Sequence, residues 1–306
     1  MPEYNFNDPI DNQEPIVNNV DDVTPVQPIN PVESVQQSNY QSVQQRTSPQ
    51  IPNDKVPFVV LVGPPESGKS MVLKRLGSYL RDNEELKSAI EANSELFKDD
   101  EYQSYCVDFN NKIGEKDSAF PNTVDYLLAD VYFNGNIKAH FLEAPGEHFF
   151  DKSHPDKEPD NHEFEGYMDK IASENRKVFY IIILDLDSPT SFRNDKNLRE
   201  KYEKKMIKLY NKYVIGHPAK VILLYNKVDL AKGGKWANAA MVSNPKAVLE
   251  NAKQMYPKLF FTRKFLWWEI PNYMFVPFCT GSFNDGYTAS EDSYPKMLWE
   301  AITKIW

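Results

Sequence analysis

The glycine-rich stretch Gly63–Ser70, with the sequence GPPESGKS, narrows the range of folds open to this chain. The continuous apolar run Phe58–Val62 comes directly before it, and apolar residues at helical spacing follow it as far as Asp82. A buried strand, a loop of this kind and an amphipathic helix form a P-loop unit, because glycines let backbone N–H groups curl around a phosphate. The helix then directs its positive N-terminus at the same phosphate. The stretch predicts a site for a nucleoside phosphate with Mg²⁺.

The positions of this loop have separate predicted roles. Lys69 is expected to neutralise the terminal phosphates, and the hydroxyl of Ser70 is expected to bind Mg²⁺. The predicted nucleotide-binding residues of the loop and of the helix start are Gly63, Glu66, Ser67, Gly68, Lys69, Ser70 and Met71.

Apolar runs and amphipathic segments alternate over the rest of the chain. Strands are predicted over 58–62, 123–133, 137–142, 178–184, 219–225 and 274–278. Helices are predicted over 70–82, 84–97, 197–214, 246–255 and 293–306. The sequence Asn134-Gly135-Asn136 indicates a hairpin turn between two of the strands. This order predicts an α/β P-loop NTPase with a mostly parallel six-stranded sheet, helices on both faces and one antiparallel strand.

Residues 1–55 differ in composition from the rest of the chain. They are rich in Pro, Gln, Asn and Ser, and they contain no Trp. Such a segment buries too little apolar surface to offset its ordering entropy. We therefore predict a disordered N-terminal tail over 1–55 and a folded domain with insertions over 56–306. The tail is either a plain spacer or a docking arm that orders on a partner.

Charge and cysteine usage limit the partners and the location. The net charge is −9 and the sequence pI is about 5.2, which argues against nucleic acid and against broad binding to anionic lipid but leaves a local basic patch open. Cys106 and Cys279 lie far apart, which favours a reducing compartment. The sequence shows no secretory signal and no apolar run long enough to span a bilayer. We expect a cytoplasmic protein without a transmembrane segment.

A second motif, Asn226-Lys227-Val228-Asp229, follows the predicted strand 219–225. Asn-Lys-x-Asp is the guanine-recognition signature of GTPases. The carboxylate of Asp229 can accept hydrogen bonds from N1–H and the 2-amino group of guanine, whereas adenine would leave it unpaired at a large cost. Asn226 is expected to bridge the base and the P-loop, and the stem of Lys227 is expected to lie over the ring.

A third motif, Glu143-Ala144-Pro145-Gly146-Glu147-His148, follows the predicted strand 137–142. With it, the chain resembles the translation-factor-related class of P-loop GTPases, which includes the Ras-like and Era-like small G domains. The resemblance covers 57–306 and identifies the folded part as a GTPase-like G domain. It implies that Glu143, which stands where the family has Asp, holds Mg²⁺ through water.

The resemblance also implies the catalytic residues. It assigns to the backbone N–H of Gly146 the sensing of the γ-phosphate, and to Lys69 the stabilisation of phosphate charge. In the family a Gln or a His directly after the Gly orients the attacking water. This chain has Glu147 at that place and His148 one residue later. Either side chain could position the water, and the lack of a clean match predicts slow hydrolysis.

Two further family motifs can be placed. Thr123 is the candidate switch residue that meets γ-phosphate and Mg²⁺, with an ordinary strand-entry residue as the alternative. Thr280 and Gly281 follow the last predicted strand, where the family presents a backbone N–H to guanine. The resemblance thus implies GTP or GDP and Mg²⁺ as ligands, with Ser70, Thr123 and Glu143 as the metal-binding residues.

The function that the resemblance implies is a slow GTPase that acts as a nucleotide-dependent switch. Such a switch meets a protein partner through its switch regions or through the N-terminal tail. Two alternatives stay open, namely a nucleotide-binding scaffold with little or no hydrolysis and an ATP-using P-loop enzyme. Glu143 and the absence of a Gln after Gly146 favour the scaffold, and the motif Asn226-Lys227-x-Asp229 argues against the ATP-using enzyme.

An aromatic segment, Phe260–Trp268, lies in one of the insertions. Large aromatic side chains are usually buried, so the segment is interpreted first as core packing of an extra element. A hydrophobic surface for a partner is the alternative.

Overall fold

A mostly parallel sheet of seven strands forms the centre of the described part of the molecule. The computed structural model of the chain describes residues 49–52, 54–115, 126–150, 154–156, 163–185, 195–230, 245–265, 267–282 and 287–304. All of these residues belong to one compact unit that spans 46–306. Most of the predicted tail lies outside the described residues, and so does the predicted switch residue Thr123.

The described strands and helices have the following bounds. The strands are β1 (Phe58–Val62), β2 (Ser88–Ala92), β3 (Leu127–Phe133), β4 (Asn136–Glu143), β5 (Val178–Asp185), β6 (Ala219–Asn226), β7 (Thr262–Phe265), β8 (Trp268–Pro271), β9 (Met274–Pro277), β10 (Gly281–Ser282) and β11 (Thr288–Ala289). The helices are α1 (Lys69–Asp82), α2 (Asp100–Gly114), α3 (Glu163–Ser173), α4 (Lys196–Tyr213), α5 (Pro245–Met255) and α6 (Ser293–Thr303). Helices α2 and α3 and the hairpin formed by β7 and β8 were not predicted from the sequence.

The strands of the main sheet have the order β2-β3-β4-β1-β5-β6-β9. Strand β1 pairs in parallel with β4 and β5, and β6 pairs in parallel with β5 and β9. Strand β3 pairs antiparallel with both of its neighbours, β2 and β4. The prediction of an α/β P-loop fold with a mostly parallel sheet and one antiparallel strand is therefore confirmed, and the sheet has one strand more than predicted.

The additional strand, β2, lies where the sequence predicts a helix over 84–97, and that prediction is wrong. A short 3₁₀ turn at Glu84–Leu86 ends at Lys87, which has a φ of 49°. The chain then pairs with β3 and buries Ser88 and Ile90 on one face. The apolar spacing suits a helix, but pairing satisfies the backbone and buries alternate side chains. Tertiary structure thus overrides the local pattern.

The two central strands explain why the site lies where it does. Every residue of β1 and of β5 is buried, so the sheet is covered on both faces at this point. Because β1, β4, β5, β6 and β9 are parallel, their carboxyl ends lie at the same edge of the sheet. The loops that follow these strands meet there, which is the edge at which open α/β sheets bind ligands.

Candidate functional site

The P-loop bends into a concave backbone surface between β1 and α1. Glu66 has a φ of 61° and Gly68 a φ of 85°, so both lie in the left-handed region. A Cβ on Gly63 would come within 2.6 Å of the Ser67 hydroxyl oxygen, which shows how tightly the loop is curled. Helix α1 begins at Lys69 with no side-chain cap and no acidic residue in its first turn. The loop and the helix N-terminus therefore form a surface suited to an anion.

Lys69 is buried along this loop. Its Nζ lies 3.3 Å from the carbonyl oxygen of Gly63 and 3.2 Å from that of Pro64, two acceptors that phosphate oxygens could replace. Burial and the positive charge of Lys69 lower the pKa of His148 to about 4, so the imidazole is neutral at physiological pH. Met71, in the first turn of α1, buries its side chain in the core. Any contact of Met71 with a ligand is therefore expected through its backbone.

Gly146 packs directly on the backbone of the P-loop. A Cβ at this position would lie 2.1 Å from the backbone nitrogen of Pro65, so no other residue fits unless the loop moves. Glu147 is exposed, whereas His148 is half-buried and its ring lies 5.2 Å from the ring of Tyr126. The third motif thus joins the phosphate loop through Gly146, while Glu147 faces solvent.

Ser70 and Glu143 meet at the place predicted for Mg²⁺. Glu143 ends β4 and is fully buried, and its Oε1 accepts a hydrogen bond of 2.5 Å from the Ser70 hydroxyl. Carboxylate and hydroxyl oxygens are ligands that Mg²⁺ prefers, and at phosphate sites it takes one or two protein carboxylates together with phosphates and waters. The described residues contain no group of three or more His, Cys, Asp or Glu that could hold a metal. The residues present fit Mg²⁺ that is shared with a phosphate.

The second motif is hydrogen-bonded to the P-loop from the end of β6. The Nδ2 of Asn226 donates to the carbonyl oxygen of Ser67 at 2.8 Å, although 159 positions separate the two residues. Lys227 has a φ of 55°, and its Nζ donates to the carbonyl oxygen of Glu66 at 2.8 Å. The buried Oδ1 of Asn226 has no hydrogen-bond partner within the described part of the chain. Asn226 thus stabilises the loop through its Nδ2, and its Oδ1 can accept a hydrogen bond from a ligand.

Asp185 and Cys279 belong to this site, although no sequence motif includes them among the predicted site residues. Asp185 ends β5, is almost fully buried, and places its Oδ1 3.1 Å from the Nζ of Lys227. Burial, with the charge and the hydrogen bond of the neighbouring Asp229 carboxylate, raises the pKa of the Cys279 thiol. The thiol therefore stays neutral and can donate to Asp229. A polar side chain at or just after the end of a buried parallel strand is the signal that could have identified both residues.

The loop after β9 is held next to the second motif. The backbone N–H of Val228 donates to the carbonyl oxygen of Phe278 at 3.3 Å. Thr280 is buried. Gly281 has a φ of 143°, and a Cβ there would lie 2.1 Å from the carbonyl oxygen of Thr288. Thr280 and Gly281 are therefore fixed beside the residues predicted to recognise the base.

All predicted site residues that the structure describes lie at this one edge of the sheet. Thr123 is outside the described residues, and its part in the site stays a prediction. The sheet order and the curled loop at the start of α1 define an α/β P-loop fold.

Comparisons with known proteins add little to this description. No protein-family model matches the sequence, and the search of the curated proteins finds no match. One of the solved structures that match is from Plasmodium falciparum and is named as a putative nucleolar GTP-binding protein 1. The sequence identity is 13%, the match covers 84% of this chain and 92% of that chain, and the TM-score is 0.38.

Proposed function

We propose that the protein binds GTP and GDP together with Mg²⁺ and acts as a slow GTPase that switches with its nucleotide. The observation that carries this proposal is the direct contact between two motifs that are remote in sequence. Asn226 and Lys227 donate to the carbonyl oxygens of Ser67 and Glu66, both at 2.8 Å. A phosphate-binding loop and a guanine-recognition motif joined in this way suit one ligand that carries both a base and phosphates.

The proposed roles follow the position of each residue at the sheet edge. Lys69 and the N-terminus of α1 would bind the phosphates, and the Asp229 carboxylate would accept hydrogen bonds from guanine. Ser70, Glu143 and Thr123 would hold Mg²⁺, which supplies positive charge at the phosphates when it is bound. The backbone of Thr280 and Gly281 would complete the base pocket.

The proposal of slow hydrolysis concerns Glu147 and His148. Glu147 is exposed, and the lowered pKa of His148 keeps its imidazole neutral, so that the ring can accept a hydrogen bond from a water and orient it. Turnover by Glu147→Ala and His148→Ala variants tests these roles. A lower rate in either variant supports a water-positioning part, and unchanged rates in both exclude it.

The second candidate function is a scaffold that binds nucleotide without hydrolysing it. It is favoured by the exposed Glu147 at the position where the resembling family orients water. An ATP-using enzyme fits less well, because the Asp229 carboxylate would lack donors from adenine. Binding of GTP without release of phosphate would select the scaffold over the GTPase.

Nucleotide selectivity tests the proposal directly. Calorimetric titration should show that GTP and GDP bind at least a hundredfold more tightly than ATP. It should also show that chelation of Mg²⁺ lowers the affinity for GTP. Asp229→Asn should weaken GTP binding at least tenfold and strengthen the binding of xanthine nucleotides, because the amide replaces one of the two carboxylate acceptors with a donor. The matched control is Glu250→Gln on the exposed surface of α5, which should change nothing. A preference for ATP, or no nucleotide binding at all, would overturn the proposal.

None of the described helices is long and apolar enough to cross a membrane. We propose a cytoplasmic location, which two free, buried cysteines support. We also propose a protein partner that recognises the nucleotide state through the loops around Gly146 or through the N-terminal tail.

A further inference from the structure

The hairpin formed by β7 and β8 exposes two adjacent tryptophans at its tip. Trp267 is 93% exposed and lies in the turn, and Trp268 is 71% exposed at the start of β8. Among the described residues, the other exposed large hydrophobic side chains are aliphatic and scattered, and none of them is exposed by more than 59%. Burial of a tryptophan side chain is strongly favourable, and an exposed tryptophan forgoes that gain. An adjacent exposed pair therefore calls for a functional explanation.

The base of this hairpin is firmly attached to the body, so the aromatic segment serves two purposes. Phe261 stacks on Tyr210 of α4, with ring centroids 3.8 Å apart and planes 8° apart. Asn272 donates its backbone N–H to the carbonyl oxygen of Phe261 at 2.9 Å and its side-chain amide to the Tyr210 hydroxyl at 2.5 Å. The start of the segment is core packing, as one interpretation of the sequence predicts, while its end is exposed. A fixed base holds the two tryptophans out from the surface.

The hairpin lies away from the candidate nucleotide site. It leads into the amino end of β9, which pairs in parallel with β6, whereas the P-loop and the guanine motif follow the carboxyl ends of parallel strands. The hairpin therefore belongs to the opposite edge of the sheet. A ligand on the tryptophans would leave the nucleotide site accessible.

Two exposed basic residues lie at the hairpin, although the whole chain has a net charge of −9. Arg263 on β7 and Lys258, shortly before β7, are exposed, and Glu269 on β8 is the exposed acidic residue nearby in sequence. Helix α4 runs beside the segment, since its Glu203 accepts a hydrogen bond of 2.7 Å from the Lys258 N–H. The same helix also carries the exposed Lys204 and Lys208 and the exposed Glu200.

We propose that the β7–β8 hairpin is a contact site for an anionic lipid membrane. Trp267 and Trp268 enter the headgroup region, where the polar edge and apolar body of tryptophan are both satisfied. Arg263 and Lys258 meet the lipid phosphates. The acidic remainder of the protein does not prevent this contact, because salt screens charges that lie more than about 8 Å apart at physiological ionic strength.

The size of the exposed patch favours a membrane over a protein partner. Two tryptophan side chains offer roughly 300–500 Å² of surface, whereas a stable protein interface covers about 800 Å² on each partner. A narrow tip of two aromatic residues flanked by cations instead matches peripheral attachment, in which aromatic insertion and electrostatic attraction add together. This contact is peripheral and requires no membrane-spanning helix.

Vesicle co-sedimentation of the full chain tests this proposal. Vesicles of phosphatidylcholine mixed with phosphatidylserine should bind the protein, and vesicles of phosphatidylcholine alone should bind it much more weakly. The Trp267→Ala/Trp268→Ala variant should bind the mixed vesicles at least tenfold more weakly, and Arg263→Glu severalfold more weakly. Added salt should weaken the binding of the unmodified chain, because it screens the cations.

The matched control is Val107→Ala/Ile215→Ala, which removes two side chains that are each 59% exposed outside the hairpin. It should bind vesicles like the unmodified chain. Both double variants should keep their unfolding temperature, because they change only exposed side chains. Absence of binding to the mixed vesicles, or binding that survives loss of both tryptophans, would overturn the proposal. Self-association that disappears with the tryptophans, without vesicle binding, would also overturn it and identify a contact between copies.

Discussion

Glycine at position 146 illustrates how one residue connects two motifs. Its backbone approaches the P-loop so closely that a single methyl group would collide with the Pro65 nitrogen at 2.1 Å. The resemblance implies that Gly146 senses phosphate, whereas the structure gives it a packing role that operates before any ligand binds. The two roles are compatible, because a backbone that touches the loop can respond when the loop binds an anion.

We predict that Gly146→Ala lowers GTP affinity at least tenfold, because the new methyl group must displace the P-loop backbone. Calorimetric titration measures this loss. The matched control is Gly166→Ala in α3, where a Cβ would meet nothing within 4 Å, and where alanine should stabilise an exposed helix by up to about 1 kcal/mol. Unchanged GTP affinity in the Gly146→Ala variant would show that the P-loop backbone can shift at this point without weakening GTP binding.

At the scale of elements, a buried histidine links β4 to β3 and to the segment that precedes β1. The Nδ1 of His140 lies 2.7 Å from Asp130 on β3, and its Nε2 lies 3.0 Å from Asp54. Arg176 reaches the same Asp54 carboxylate at 3.5 Å, and it also pairs with Glu174. Burial alone would lower the pKa of His140, but the hydrogen bonds and charges of Asp130 and Asp54 together outweigh burial and raise it.

This arrangement predicts a definite pH dependence of folding stability. A histidine whose folded pKa is above its unfolded value of about 6.5 stabilises the fold fully below that value. The stabilisation is then lost as the pH rises through the folded pKa. We expect His140→Gln to cost about 1–3 kcal/mol near pH 6, with a smaller difference from the unmodified chain at pH 9.

Urea unfolding at several pH values measures this difference in the free energy of unfolding. The control is His217→Gln at an exposed position, where the difference should stay small at every pH. A His140→Gln penalty that does not shrink between pH 6 and pH 9 would mean that packing, and not the proton, stabilises this link between the elements.

At the scale of the whole molecule, the site couples distant parts of the sheet. Loops from β1, β4, β5, β6 and β9 all meet there, so a ligand at this edge would contact segments from both halves of the chain. A ligand that binds only the folded state stabilises it by mass action. Nucleotide binding should therefore appear as a gain in the stability of the whole fold.

We predict that GTP with Mg²⁺, at about a hundredfold excess over its dissociation constant, adds about 2.7 kcal/mol. For a domain of this size that corresponds to a rise of roughly 5–10 °C in the unfolding temperature. Differential scanning fluorimetry measures the shift, which Lys69→Ala should abolish and chelation of Mg²⁺ should reduce. Lys220→Ala, at an exposed position at the amino end of β6, should leave it intact. An equal shift with ATP would contradict guanine selectivity.

Much of the fold and of the candidate site can be predicted from local sequence, because their signals depend on near neighbours. The apolar run of β1 and the glycines of the P-loop specify a strand followed by a curled loop. The parallel order of the strands then requires Asn226 to lie at the same edge. The contact between Asn226 and Ser67 follows from these two local facts, even though the residues are far apart in the chain.

Other features were decided only by tertiary structure, because they depend on partners that are remote in sequence. The segment 84–97 has helical spacing, yet pairing with β3 makes part of it strand β2. Cys279 became part of the site only when β9 brought it beside Asp229. Trp267 and Trp268 carry the sequence signature of core residues, yet they are exposed on a hairpin whose base packs on α4. Local patterns specify strands, helices and loops, whereas pairing and exposure depend on what the rest of the chain covers.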